Sequence, residues 1–214
     1  MRMMDWFAQM LGLPETFHFK HGPGGGIIQT TASESTLIAI LGARTKILQQ
    51  YGLDNRIVDN NDDDDDDYYS DSDSKRYDLL GRMVAYTSNQ SHSSVEKAAM
   101  LSATRIRLIP VNDSDLSMNV DILQQRIVAD LQRGLIPTIV IATLGTTNTC
   151  AFDDLYRIGQ LCSEYQIWLH VDAAYAGSSF ICPEFRHYMN GIEVRVVHFS
   201  IIIEKIFLQQ KKFI

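Results

Sequence analysis

Trp168-Leu169-His170-Val171-Asp172-Ala173-Ala174-Tyr175-Ala176-Gly177 is the stretch on which the fold turns. An apolar run that ends in an acid and passes into small residues and a glycine reads as a buried strand running out into a loop. In an open parallel sheet, ligands sit beyond the carboxyl ends of such strands. Asp172 therefore stands where a fixed negative charge can meet a ligand. The small Ala173 and Ala174 let something flat lie against the backbone. Taken alone, an acid in this position is more often a cap for the next turn, so its meaning rests on the rest of the chain.

Working outward, Thr138-Ile139-Val140-Ile141-Ala142-Thr143 is a second apolar run, leading into Leu144-Gly145-Thr146-Thr147 and a helix over Leu155 to Tyr165. Further upstream the spacing predicts a strand over Arg82 to Ser88 and a helix through Ala98, Ala99 and Leu101. A strand over Arg107 to Val111 follows, then a helix over Asn119 to Leu131 with Ile122, Leu123, Ile127 and Leu131 on one side. Strands alternating with helices predict an α/β fold, a mainly parallel sheet with flanking helices and right-handed crossovers. Near the start, Met3, Trp6, Phe7, Met10 and Leu11 fall at helical spacing before Pro14, with no cap ahead of them, as at the end of a longer helix.

The formal net charge of −7 is local in origin. Residues 54–78 hold eleven Asp against Arg56, Lys75 and Arg76, a balance of −8 that leaves the remainder at +1. No basic stripe remains to attract nucleic acid. Asp62 to Asp67 are unbroken, and six adjacent like charges stay solvated, so a disordered surface insertion is expected over about 54–78. A calcium loop is disfavoured there because the D-x-D-x-D-G pattern is missing. Cys150, Cys162 and Cys182 are odd in number and lack C-x-x-C spacing, which argues against a disulfide framework or structural zinc and for a reducing, cytoplasmic setting. Asp5 interrupts the opening where a signal peptide needs an apolar core, and Ile201 to Ile203 is too short a run to span a bilayer.

Two turns add candidate chemistry. His21-Gly22-Pro23-Gly24-Gly25-Gly26 precedes Thr31, Ala32, Ser33 and Glu34, and Thr31 with Glu34 has capping-box spacing ahead of an amphipathic helix through Leu37, Ile40, Leu41, Ile47 and Leu48. The glycines do not match G-x-G-x-x-G, since Ile27 takes the last position, so a dinucleotide loop is a poor fit. A helix start lined with hydroxyls suits a phosphate, although an ordinary capped helix fits as well. After the strand ending at Ser88, Ser93 and Glu96 again have capping-box spacing, which places His92 in the strand-to-helix turn. A turn histidine is more often surface filler than a working group.

These motifs, in this order, resemble the group II pyridoxal-phosphate (PLP)-dependent amino-acid decarboxylases, closest to the aromatic-L-amino-acid, tyrosine and histidine decarboxylases. The likeness runs through His92-Ser93-Ser94, Leu144-Gly145-Thr146-Thr147, the Asp172 strand and Phe180-Ile181-Cys182-Pro183-Glu184-Phe185-Arg186-His187, as far as Glu193. It implies the large domain of the fold-type I PLP-dependent transferase (aspartate aminotransferase-like) fold, incomplete here. It further implies PLP as cofactor, with Asp172 paired to the ring nitrogen, His92 and Ala174 against the ring, Ala32 and Ser33 on the phosphate and Thr147 close by. His92 and Asp172 are the candidate catalytic residues. An amino-acid substrate, a homodimer and no nucleic-acid or membrane partner are implied as well.

The likeness stops after Glu193. The family's lysine, which bonds the cofactor in a P-H-K or P-S-K context, has no match. Lys205 falls near the expected spacing but follows Glu204 and lacks the flanking Pro and Trp. The expected organisation is a partial PLP-binding large domain over 1–193 and a divergent tail over 194–214, with Ile201 to Ile203 adding apolar surface at an edge left by missing strands. Three functions follow for test: PLP-dependent decarboxylation of an aromatic L-amino acid to its amine; a catalytically dead remnant or isoform that acts as a binding or regulatory partner; and a generic phosphate- or nucleotide-binding α/β module.

Overall fold

A computed structural model of the chain describes residues 2–20, 24–53, 71–193, 198–203 and 206–211. Its helices are α1 (Arg2–Met10), α2 (Ala32–Gln50), α3 (Asp71–Arg82), α4 (Ser93–Leu101), α5 (Val120–Gln132) and α6 (Leu155–Glu164). Its strands are β1 (Gly25–Ile28), β2 (Met83–Ser88), β3 (Arg105–Ile109), β4 (Ile136–Thr143), β5 (Trp168–Asp172), β6 (His198–Ile203) and β7 (Ile206–Lys211). They form one sheet in the order β1-β7-β6-β5-β4-β2-β3. From β3 to β6 every neighbouring pair is parallel, while β7 runs antiparallel to both β6 and β1.

The apolar runs become central strands because both faces of the sheet are covered. Strand alternation sends Val84, Tyr86, Val140, Ala142, Leu169, Val171, Ile201 and Ile203 into one core, shared with Leu123 and Ile127 of α5 and Leu155, Ile158 and Leu161 of α6. The intervening Ala85, Ile139, Ile141, Trp168 and Ile202 fill the opposite core, against Ala39, Ile40 and Ala43 of α2 and Val95, Ala98 and Ala99 of α4. Because the parallel strands share one direction, Ser88, Thr143 and Asp172 end at the same edge. The loops that follow them are thrown together there.

The first core holds one polar knot. Tyr86 donates its hydroxyl to Asp130 Oδ2 at 3.0 Å, and Arg107 grips the same carboxylate with Nε at 3.1 Å and Nη2 at 2.9 Å. Burial acts to raise the Asp130 carboxyl, but the Arg107 and Tyr86 bonds win and hold it below the ordinary carboxylate range. Tyr86→Phe removes one bond to a charged acceptor and leaves the Arg107 fork intact, so an expected loss of about 1.5 kcal/mol should show as a lower urea midpoint at unchanged m.

Two expectations need correction, and one element is new. Residues 71–78, assigned to the solvated acidic insertion, lie in α3, whose Leu79 is buried against Ile47, Leu48 and Met83; residues 54–70 lie outside the described residues. The tail is not merely divergent: β6 and β7 complete the sheet, and Ile201, Ile202 and Ile203 are buried rather than exposed at an edge. The glycine-rich stretch supplies a strand, β1, whose Gly25 and Gly26 pair with Gln209 and Leu208. Among the described residues, no helix is long and apolar enough to cross a membrane and no group of acidic, His and Cys side chains could hold a metal.

Candidate functional site

At the carboxyl edge of the sheet lies a cleft of ≈ 260 Å³. It gathers all six residues singled out from the sequence: Ala32, Ser33, His92, Thr147, Asp172 and Ala174. Ser94, Thr143, Gly145, Thr146 and Tyr175 line it too, and sequence reasoning did not name them as site residues. Their signal was available in principle, since Thr143, Gly145, Thr146 and Tyr175 stand at a strand end or in the loop after it, and Ser94 lies in the first turn of α4.

Each wall is set by local chemistry. Thr31 caps α2, its hydroxyl oxygen accepting from Glu34 N at 3.1 Å, which leaves Ala32 and Ser33 as the first residues of the helix with its positive dipole end toward the cleft. His92 occupies the N-cap of α4 in place of the expected Ser93, and its Nδ1 accepts from Ser94 N at 3.1 Å. Between β4 and α6, Thr146 Oγ1 accepts from Ala151 N at 3.0 Å and lies 2.7 Å from Thr149 Oγ1, so Thr146 ties the loop while Thr147 stays exposed at the cleft. Gly145 has φ +85°, and a Cβ there would overlap the Ala176 Cβ. The loops after β4 and β5 can approach this closely only with glycine.

Asp172 is 7% exposed. Burial pushes its carboxyl above the ordinary value, opposed by the Ala174 N–H, which Oδ1 accepts at 3.0 Å, and by His92. Beside it in the β4–β5 register is Thr143, whose buried hydroxyl has no partner among the described residues. A buried carboxylate raised in this way gains from a cation, and an unpartnered buried hydroxyl gains from a polar ligand atom. A helix amino end in the same cleft favours an anion. The hollow thus fits a flat molecule with a cationic group at one end and a phosphate at the other. PLP in its ring-protonated form has that charge distribution.

A conserved-domain model described as pyridoxal-dependent decarboxylase matches residues 1–201. The chain belongs to the pyridoxal-dependent decarboxylase family. It is 47% identical to histidine decarboxylase of Homo sapiens over 196 residues, which is 90% of this chain and 27% of that protein. To aromatic-L-amino-acid decarboxylase of Bos taurus it is 46% identical over 192 residues, 89% of this chain and 36% of that protein. Among solved structures, Catharanthus roseus tryptophan decarboxylase in complex with L-tryptophan superposes with a TM-score of 0.79 at 37% identity, covering 98% of this chain and 42% of that one. Oryza sativa TDC with PLP and tryptamine gives 0.78 at 35% identity, over 96% and 40%. The chain therefore spans well under half the length of the relatives it matches.

Proposed function

We propose that this chain forms the cofactor-holding face of a PLP-dependent decarboxylase acting on an aromatic L-amino acid of the DOPA, tyrosine, tryptophan or histidine type, with the amine and CO₂ as products. The observation that carries it is the single cleft holding buried Asp172, the α2 amino end at Ala32 and Ser33, and His92. The relatives' names, histidine decarboxylase and aromatic-L-amino-acid decarboxylase, support the substrate class.

In this mechanism Ala32 and Ser33 hold the phosphate with free helix N–H groups and the Ser33 hydroxyl. Asp172 holds a proton on the ring nitrogen, because a buried anion raises the pKa of a neighbouring cationic acid. His92 and Ala174 confine the ring, and Thr147 offers a hydroxyl at the rim. When bound there, PLP would supply the electron sink that loss of CO₂ from an amino acid requires.

Among the described residues lining the cleft there is no lysine, and Lys205 lies outside the described residues. The sequence after Glu193, where the lysine context of the family has no match, favours a second reading, in which this polypeptide holds the cofactor without covalent attachment and acts as a binding or regulatory partner. A second copy of the chain belongs to either reading: α1 leaves Met3, Trp6 and Met10 more than half exposed, an apolar stripe that a dimer partner would cover. All three cysteines stand free, which suits the cytoplasmic setting that completes the proposal.

PLP titration of the purified chain, followed by absorbance, tests both readings. Saturable binding that inorganic phosphate competes away is expected, and its absence overturns both. Borohydride reduction followed by peptide mass mapping then separates them. A PLP adduct on Lys205 assigns the catalytic role to this chain, and no lysine adduct assigns the non-covalent one.

A further inference from the structure

His92 sits at the head of α4 in a role few histidines fill. Its side chain is the N-cap, with backbone φ −64° and ψ 142°, and the ring nitrogen Nδ1 accepts from the backbone N–H of Ser94 at 3.1 Å. A backbone amide can only donate. Nδ1 must therefore carry a lone pair and not a proton, which places the hydrogen of the neutral ring on Nε2. The Ser94 hydroxyl lies 2.8 Å from the same Nδ1. With Nδ1 already committed as an acceptor, that hydroxyl is the donor in the pair. Ser94 is 7% exposed and lines the cleft beside His92.

We propose that Ser94 is the positioning residue for His92, using its amide and its hydroxyl together to lock the imidazole as the Nε2–H tautomer with one ring orientation at the cleft. Turning the ring over would put carbon where Nδ1 stands and break both contacts. Moving the proton to Nδ1 would set an N–H against the Ser94 N–H. The cleft is thereby presented with a fixed aromatic face and a single donor, Nε2–H, suited to stacking on a flat heterocycle and to receiving an oxygen acceptor such as a carboxylate. The nature of that ligand rests on the function proposed above; the tautomer lock does not.

The test is long-range ¹H–¹⁵N correlation on the ¹⁵N-labelled full chain, with His92→Asn, itself a good cap, to assign the His92 signals. The wild type should show a non-protonated Nδ1 and a protonated Nε2. Ser94→Ala keeps the amide bond and loses the hydroxyl, so the ratio of Nδ1–H to Nε2–H forms should rise about fivefold, the factor one net hydrogen bond sustains. Ser94→Thr should restore the wild-type ratio. A protonated Nδ1 in the wild type, a ratio indifferent to Ser94→Ala, or no rescue by threonine each overturns the proposal. Addition of PLP should move the His92 ring resonances. If it leaves them unmoved while the tautomer pattern holds, the functional reading fails and the Ser94 assignment stands.

Discussion

Asp172→Asn lowers the affinity of the chain for PLP by about tenfold at neutral pH, the factor expected when one hydrogen bond to a charged group is reduced to a neutral one. The substitution keeps size and shape, and the amide oxygen can still accept from Ala174 N, so the loop after β5 should hold. On the proposed function, what disappears is the negative charge that would keep the ring nitrogen protonated. The pH dependence should change as well. In the free cleft, burial holds the Asp172 carboxyl above the 3.8 of an ordinary aspartate, so it takes up a proton sooner as the solution is acidified. A cationic ring nitrogen favours the ionised carboxylate, and binding must expel that proton. Wild-type affinity therefore falls as pH drops into that raised range, and the Asp172→Asn variant lacks this component. Fluorescence titrations with PLP across the acidic range check both effects. Affinities within twofold of each other at neutral pH would show that Asp172 does not face the ring nitrogen.

The features that were legible from sequence share a physical cause. β2, β4 and β5 are buried on both faces, so their residues read as continuous apolar runs whatever else surrounds them. Once those runs are parallel, Asp172, His92 and Thr147 must fall at one edge, because each lies at or just past the carboxyl end of a strand. The elements that were missed depend on partners far away in sequence. β1 has two glycines and two exposed isoleucines and exists as a strand by pairing with β7, about 180 positions later. β6 takes its place only through its register with β5, where Leu169 pairs with Phe199 and Asp172 with Ile202. α3 was hidden by its acids, yet Asp73 near a helix amino end is favourable to the dipole, and Leu79 anchors the helix from the far end. His92 was placed correctly and its cap was not. Capping preferences favour the serine beside it, and only the fold shows Nδ1 turned onto the Ser94 amide.

Asp153 shows what else the site needs and the motifs did not reveal. It lies beyond the threonine loop, 4% exposed, and its two oxygens accept from Met118 N and Thr143 N, each at 2.7 Å. It thus fixes the end of β4, from which the Thr143–Thr147 wall of the cleft departs. Asp153→Ala leaves two buried N–H groups unsatisfied, and at about 1.5 kcal/mol for each the expected loss is about 3 kcal/mol of stability, read from urea unfolding at neutral pH. A loss below about 1 kcal/mol would show that the loop does not depend on this carboxylate. A second measurement isolates the charge. Burial pushes the Asp153 carboxyl up to about 6, aided by the nearby Asp115 charge, against the pull of the Thr143 and Met118 amides. Between the unfolded value of 3.8 and about 6, the native state keeps a proton that the unfolded chain has lost, so this group's contribution to stability falls as pH rises. The fall amounts to about 3 kcal/mol over that window and then levels off. Asp153→Asn carries no titrating group, so the stability difference between wild type and this variant should shrink by that amount from about pH 4 to about pH 6.5. A difference that stays flat, or grows with pH, would mean that the two short amide bonds outweigh burial and keep Asp153 ionised throughout.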